Sequence, residues 1–185
     1  MQLNDIEIRG ALIDKINNQS KKPKAIIEEL RVHNGNAIAD VVALYSEAHC
    51  YEIKGMNDNV GRIAVQGAFY NSVFRKITLV TTENHMKKAL DISPDYWGIM
   101  IASYSRGEVR LKYLRGAKNN PDFVKELALL TLWKSEMLSI LEEKKHKRKP
   151  RDFLAQLISS TKKRVELSND ICDLLINRQR TAFTK

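Results

Sequence analysis

The apolar positions change period several times along the chain, and each change marks an element. Leu3, Ile6, Ala11, Ile13 and Ile16 recur near helical spacing, so residues 3–17 read as an amphipathic helix. The polar stretch 17–23 ends it at Pro23. The segment "AIIEELRV" (25–32) suits either helix or strand by itself. The Asn34-Gly35 dipeptide that follows decides for strand, because it favours a type I′ turn with positive φ at both central residues. A hairpin of 25–32 with 37–45 is therefore predicted. After a polar break at 46–48, "HCYEIKG" gives a third strand. Residues 59–75 read as a helix with Ile63, Gly67, Tyr70 and Phe74 along one side, and "KITLVTT" (76–82) as a strand. Strand, helix and strand in that order predict a right-handed parallel crossover. "ENHMKKAL" suits a short helix, and "YWGIMIAS" and "VRLKYL" flank a hairpin turn at 105–108.

After "RGAKNNPD" the pattern becomes helical throughout. One long helix is predicted over 122–143, with Phe123, Leu127, Leu130, Trp133, Met137 and Leu141 on its apolar side. A basic run follows, and two more helices, about 151–160 and 162–178, finish the chain. The fold class is α/β: a core with a mixed sheet over 1–116, then a basic helical region over 117–185.

Charge sharpens this picture. The net charge is +9, which favours a polyanionic partner such as nucleic acid. Residues 1–120 carry 17 basic and 13 acidic side chains, the remainder 14 and 9, so positive density is higher in the tail. Lys144, Lys145, Lys147, Arg148, Lys149 and Arg151 form one run that reads as a solvated linker or as an arm on phosphates. Cys50 and Cys172 are far apart with no zinc spacing, which fits a reducing compartment such as the cytoplasm. "MQLNDIEIRG" has no apolar core of a signal peptide, and no apolar run approaches the ~20 residues of a membrane span, so no membrane partner is expected.

Charge also enters the strands where a half-buried strand should be apolar. With Asn34-Gly35 as the turn, Glu29 lies opposite Asp40 on one sheet face. In the register preferred for the next turn, Asp40 faces Lys54 and Glu52 lies one diagonal away. Glu29, Asp40, Glu52 and Lys54 then converge. Opposed like charges are destabilising, and buried carboxylates are costly unless paired or bound to metal. A divalent cation is one explanation; a plain Asp40–Lys54 ion pair at a wet sheet edge is the other. Gln66 and Tyr70, one turn apart on the next helix, can lean toward this cluster, or serve as a solvated residue and a core residue. His85, after the 76–82 strand near where a parallel sheet's ligand edge lies, reads as a surface residue or as one supporting a substrate site. His49 and Cys50 point to opposite faces, so they do not share a metal. Trp97 and Trp133 read as core anchors, with no pocket to argue for stacking on bases.

Together these residues resemble the PD-(D/E)XK nuclease superfamily. Asp40 matches the metal-binding Asp, Glu52-Ile53-Lys54 the (D/E)-x-K tripeptide, and Gln66-x-x-x-Tyr70 the motif that follows it in nuclease domains of bacterial recombination helicase-nucleases. Glu29 matches an acid near the first element of several members. Ala39 stands where the motif's name has proline, as in many members. "IADVVA…YEIKG…Q…Y…ITLVTT", with the N-terminal "IR..L" helix and the basic tail, is similar to a group of small stand-alone bacterial and phage members. The resemblance implies a restriction-endonuclease-like core of helix, three-stranded meander, crossover helix and strand. It implies Mg²⁺ (or Mn²⁺) held by Asp40, Glu52 and the Ile53 carbonyl, with Glu29 joining through water. Lys54 would align the attacking water, Gln66 would fix Lys54 or touch a phosphate, and Tyr70 would pack or bind the backbone. The implied activity is metal-assisted hydrolysis of phosphodiesters, with DNA the expected substrate. A homodimer would suit duplex cutting by a single-site chain. Two other readings stand beside it: a non-catalytic nucleic-acid-binding module on the same fold, and an assembly protein whose acids form ion pairs.

Overall fold

Six strands lie side by side in chain order, β1 to β6, in the computed structural model, which describes residues 3–141 and 144–182. β1 (Ala25–Val32) and β2 (Ala37–Leu44) form the expected hairpin. Asn34 and Gly35 both take positive φ, 57° and 94°, and Asn36 N donates to the His33 carbonyl at 3.2 Å. β3 (Ala48–Lys54) returns antiparallel to β2. β4 (Lys76–Thr82) then pairs parallel to β3 after the helix α2 (Ile63–Val73), and β5 (Gly98–Ser105) parallel to β4 after α3 (Met86–Ile92). β6 (Glu108–Arg115) closes the sheet as an antiparallel edge strand. The sheet is therefore mixed, as strand and helix periodicity predicted.

Each sheet face is covered by a different set of helices. The first helix, α1 (Asp5–Asn17), starts where Asn4 and Glu7 exchange side-chain and main-chain hydrogen bonds, which satisfies two donors that a helix start leaves free. Its Ile8, Leu12 and Ile16 pack on Val41, Tyr51, Ile53, Val80 and Met100. On the opposite face Val42, Leu44, Cys50, Ile77 and Leu79 meet α2 and the C-terminal helices in one continuous apolar layer. Both cysteines are free and buried, one in the sheet and one in the tail. His49 and Cys50 do face opposite ways: Cys50 enters that layer, while His49 bonds Thr78 Oγ1 and the Tyr51 hydroxyl. No helix among the described residues is long and apolar enough to cross a membrane.

Three expectations are corrected here. The loop at 45–47 pairs Leu44 with Ala48 and Val41 with Tyr51. That register sets Asp40 level with Glu52 rather than Lys54. It keeps all three on one face, because a shift of two residues preserves side-chain parity.

The long helix expected over 122–143 is two helices, α4 (Lys125–Leu129) and α5 (Lys134–Leu141); residues 142 and 143 lie outside the described residues. The Thr131 N–H and hydroxyl both turn back to the Ala128 carbonyl. Arginines from later helices take the main-chain oxygens that the break releases. Arg151 donates to the Leu130 and Leu132 carbonyls, and Arg178 to that of Thr131. The Trp133 N–H is taken by Glu136 Oε2 at 2.6 Å. The apolar spacing runs straight through this break, so periodicity could not show it. Trp97 is a buried anchor, as expected, with its indole N–H on Asn71 Oδ1. Trp133 is not: it is 60% exposed. Beyond the break lie α6 (Arg151–Thr161) and α7 (Arg164–Ala182), close to the two segments predicted.

Candidate functional site

The carboxylates gather where β2 and β3 part. Their regular pairing stops at Val41–Tyr51, and the Asp40 side chain takes over from the main chain there: Oδ2 accepts the Ile53 N–H at 2.7 Å. This fixes the carboxylate against the Glu52-Ile53-Lys54 strand. Glu52 is 1% exposed, and its Oε1 accepts from Lys54 Nζ at 2.5 Å. Its other oxygen, Oε2, is buried without a hydrogen-bond partner. Gln66, on α2, lines the same cleft and also leaves a buried oxygen without a partner. The cleft has a volume of about 430 Å³ and is walled by Glu29, Asp40, Glu52, Lys54, Gln66 and the turn at 35–38.

Burial sets the protonation of this group. It pushes Glu52 up to about 7, helped by the neighbouring Asp40 and opposed by Lys54. Asp40 is raised in the same way, with the Ile53 N–H and Lys54 pulling it back. The Tyr70 phenol is held protonated by burial and by Glu52 beside it. Its hydroxyl donates to the Ile38 carbonyl at 2.8 Å, so it does not supply a hydrogen to Glu52 Oε2. Tyr70 thereby ties α2 to β2 two residues before Asp40.

Glu29 is arranged differently from its partners. Its φ is +55°, and the rung it would share with Asp40 is missing between Glu28–Val41 and Leu30–Ala39. The side chain, 68% exposed, turns to Arg9 at 3.3 Å. Arg9 is the residue that sequence reasoning missed. From α1 it meets Asp5 (2.9 Å), Glu29 (3.3 Å), Glu28 (3.5 Å) and Asp40 (3.8 Å). Two local signals contained it, the Asp5-x-x-x-Arg9 spacing, a common helix-surface pair, and the "IR..L" stretch of the resemblance, but neither gave it a place in the site.

Among the described residues, no three His, Cys, Asp or Glu side chains converge as a ready metal centre. The donors near the cleft are the half-buried Asp40 and the buried Glu52 carboxylates, the exposed Glu29 turned to Arg9, and the main chain. That complement still suits Mg²⁺, which keeps several waters and usually takes one or two protein carboxylates. The orphaned Glu52 Oε2 is the atom best placed to need such a partner.

The basic run splits in two. Lys145, Lys147, Arg148 and Lys149 are exposed, and Lys149 lies over the Phe153 ring; the Lys144 side chain is outside the described residues. Arg151 instead binds the carbonyls of the helix break and reaches Asn34 Oδ1 at 3.4 Å, on the β1–β2 turn beside the cleft. His85 bonds the Met56 carbonyl and does not line the cleft.

Fold and site together define an α/β protein with helices on both faces of a mixed sheet and an acid–lysine cleft at the parting of β2 and β3. The family model described as "Bacteriophage P4 protein cII" matches residues 1–180, and the chain belongs to that family. None of the curated proteins matches it. Among solved structures, a protein of unknown function from Silicibacter pomeroyi is similar over 65% of this chain and 81% of its own, with 18% identity and a TM-score of 0.42.

Proposed function

We propose that this chain is a metal-dependent phosphodiesterase acting on nucleic acid, DNA foremost, with a PD-(D/E)XK arrangement on a restriction-endonuclease-like core. The observation that carries the reading is the orphaned, buried Glu52 Oε2 beside Asp40 and Lys54 in an open cleft. The order of helix, three-stranded meander, helix and strand supports it. So does Arg151, a basic side chain that reaches the turn bordering the cleft.

Asp40, Glu52 and the Ile53 carbonyl would hold Mg²⁺ or Mn²⁺, which supplies Lewis-acid activation of the scissile phosphate and of water. Lys54 orients the attacking water and offsets negative charge developing on the phosphate oxygens. Gln66 presents its side-chain amide to Lys54 or to a phosphate. Tyr70 positions β2 through the Ile38 carbonyl rather than touching substrate. Glu29 and Arg9 set the charge around Asp40. A reading without catalysis has one observation of its own: Lys54 and Glu52 already pair with each other.

Incubation of the chain with mixed DNA and RNA substrates in Mg²⁺ or Mn²⁺ separates these readings. Cleavage is expected, and Lys54→Ala or Asp40→Asn should each lower it on the order of a hundred-fold or more, with far-UV circular dichroism unchanged. No cleavage with either cation, or cleavage equal to wild type in both variants, would sink the enzyme. Salt-sensitive binding that persisted in both variants would then identify a binding module.

A further inference from the structure

A second cleft, of about 470 Å³, adjoins the acidic one, and Glu29 and Gly35 line both. Its far side is the break between α4 and α5, where Trp133 stands 60% exposed. A lone exposed apolar side chain is ordinary. Three observations set this one apart.

The first is that the ring is held in place. The Arg178 guanidinium lies over it, 4.3 Å from the ring centroid. Arg178 is itself fixed by Glu136 and by the Thr131 carbonyl. The second is charge. The ionised side chains lining this cleft are Glu29 against Arg31, Arg151 and Arg178. Arg31 is exposed on the edge strand β1. The acceptors of Arg151, two carbonyls and Asn34 Oδ1, are all neutral, so they do not cancel its charge. The third is continuity: Gly35, on the β1–β2 turn, lines the Glu52–Lys54 cleft and also the second cleft, which Trp133 lines from the other side.

We propose that this second cleft seats an unpaired nucleotide of the strand whose backbone lies in the acidic cleft. The base stacks on the open side of the Trp133 indole, and the flanking phosphates face Arg31 and Arg151. This rests on reading the acidic cleft as a phosphodiester site. Stacking on an aromatic ring tolerates any base, since every base has a π-face. Within a duplex those faces are already covered by neighbouring pairs. The platform therefore selects single strands, frayed ends or flaps over blunt duplex.

The test uses the full chain in EDTA, so that cleavage does not interfere, with a fluorescein-labelled single-stranded oligodeoxynucleotide and a blunt duplex of equal length. Trp133→Ala should weaken single-strand binding about ten-fold, Trp133→Phe should recover most of it, and the duplex should be nearly unaffected. Single-strand binding should also quench the intrinsic emission of Trp133, since Trp97 is fully buried. Unchanged single-strand binding by Trp133→Ala overturns the proposal, and so does an equal loss on blunt duplex. A chain that holds single strands through Trp133 but cuts nothing with Mg²⁺ or Mn²⁺ upholds the platform and refutes the nuclease. A chain that cuts, while its Trp133→Ala variant binds and cuts single strands as before, does the reverse.

Discussion

Glu52 is the most deeply buried acid lining the cleft. Burial raises its carboxyl from 4.5 to about 7, so the cation-free folded chain holds that proton more tightly than the unfolded chain does. The resulting stabilisation is full below the unfolded value and is lost as pH rises toward 7. Between pH 5 and 8 the wild type should lose about 2–3 kcal/mol more stability than Glu52→Gln, which has no such proton. Urea unfolding at both pH values in EDTA measures this, and parallel losses would show that Glu52 is not raised. On the proposed reading, saturating Mg²⁺ at pH 8 should restore wild-type stability selectively, because only the ionised carboxylate is a good ligand. At this scale strand parity made Asp40, Glu52 and Lys54 legible in the sequence, and helical spacing added Gln66 and Tyr70. Arg9 was visible only as the Arg of the "IR..L" stretch, not as a partner of Asp40. Its meeting with Asp40 depends on how α1 lies across the sheet, which no local pattern encodes.

Elements followed the sequence wherever local chemistry dictated them. The Asn34-Gly35 and Arg106-Gly107 turns both carry positive φ and sit between paired strands. The break between α4 and α5 was hidden for the opposite reason. Its released carbonyls are satisfied by Arg151 and Arg178, which come from distant parts of the chain. Two glycines make the contrast between local and tertiary control measurable. A Cβ on Gly10, inside α1, meets nothing within 4 Å. A Cβ on Gly98, which opens β5, would fall 2.4 Å from Thr78 Oγ1 and 3.0 Å from Ala117 N. Gly10→Ala should therefore stabilise the chain by about 0.5–1 kcal/mol. Gly98→Ala should destabilise it by about 1–3 kcal/mol. Denaturant midpoints of the two variants check the signs, and a neutral Gly98→Ala would mean that β5 can move away from β4.

At the scale of the whole molecule, the change in pattern after residue 116 marks where strands give way to helices, yet the apolar layer does not change there. Phe123, Leu129, Leu154, Ile158, Leu167 and Ile176 share it with Val42, Leu44, Ile77 and Leu79. Composition showed the tail to be basic; it could not show that its other side supplies much of the apolar layer on one face of the sheet. A chain ending at residue 116 would expose that side of the sheet to water. It should be insoluble or lack a cooperative unfolding transition, as read by circular dichroism and calorimetry. A cooperative, soluble 1–116 fragment would disprove this. The shared layer also bears on inheritance. A recombination event that joined these strands to an unrelated tail would have to match a packed surface, not merely a linker. Substitutions on the sheet side of the tail are therefore constrained by the strands they cover, while those on its exposed side are not.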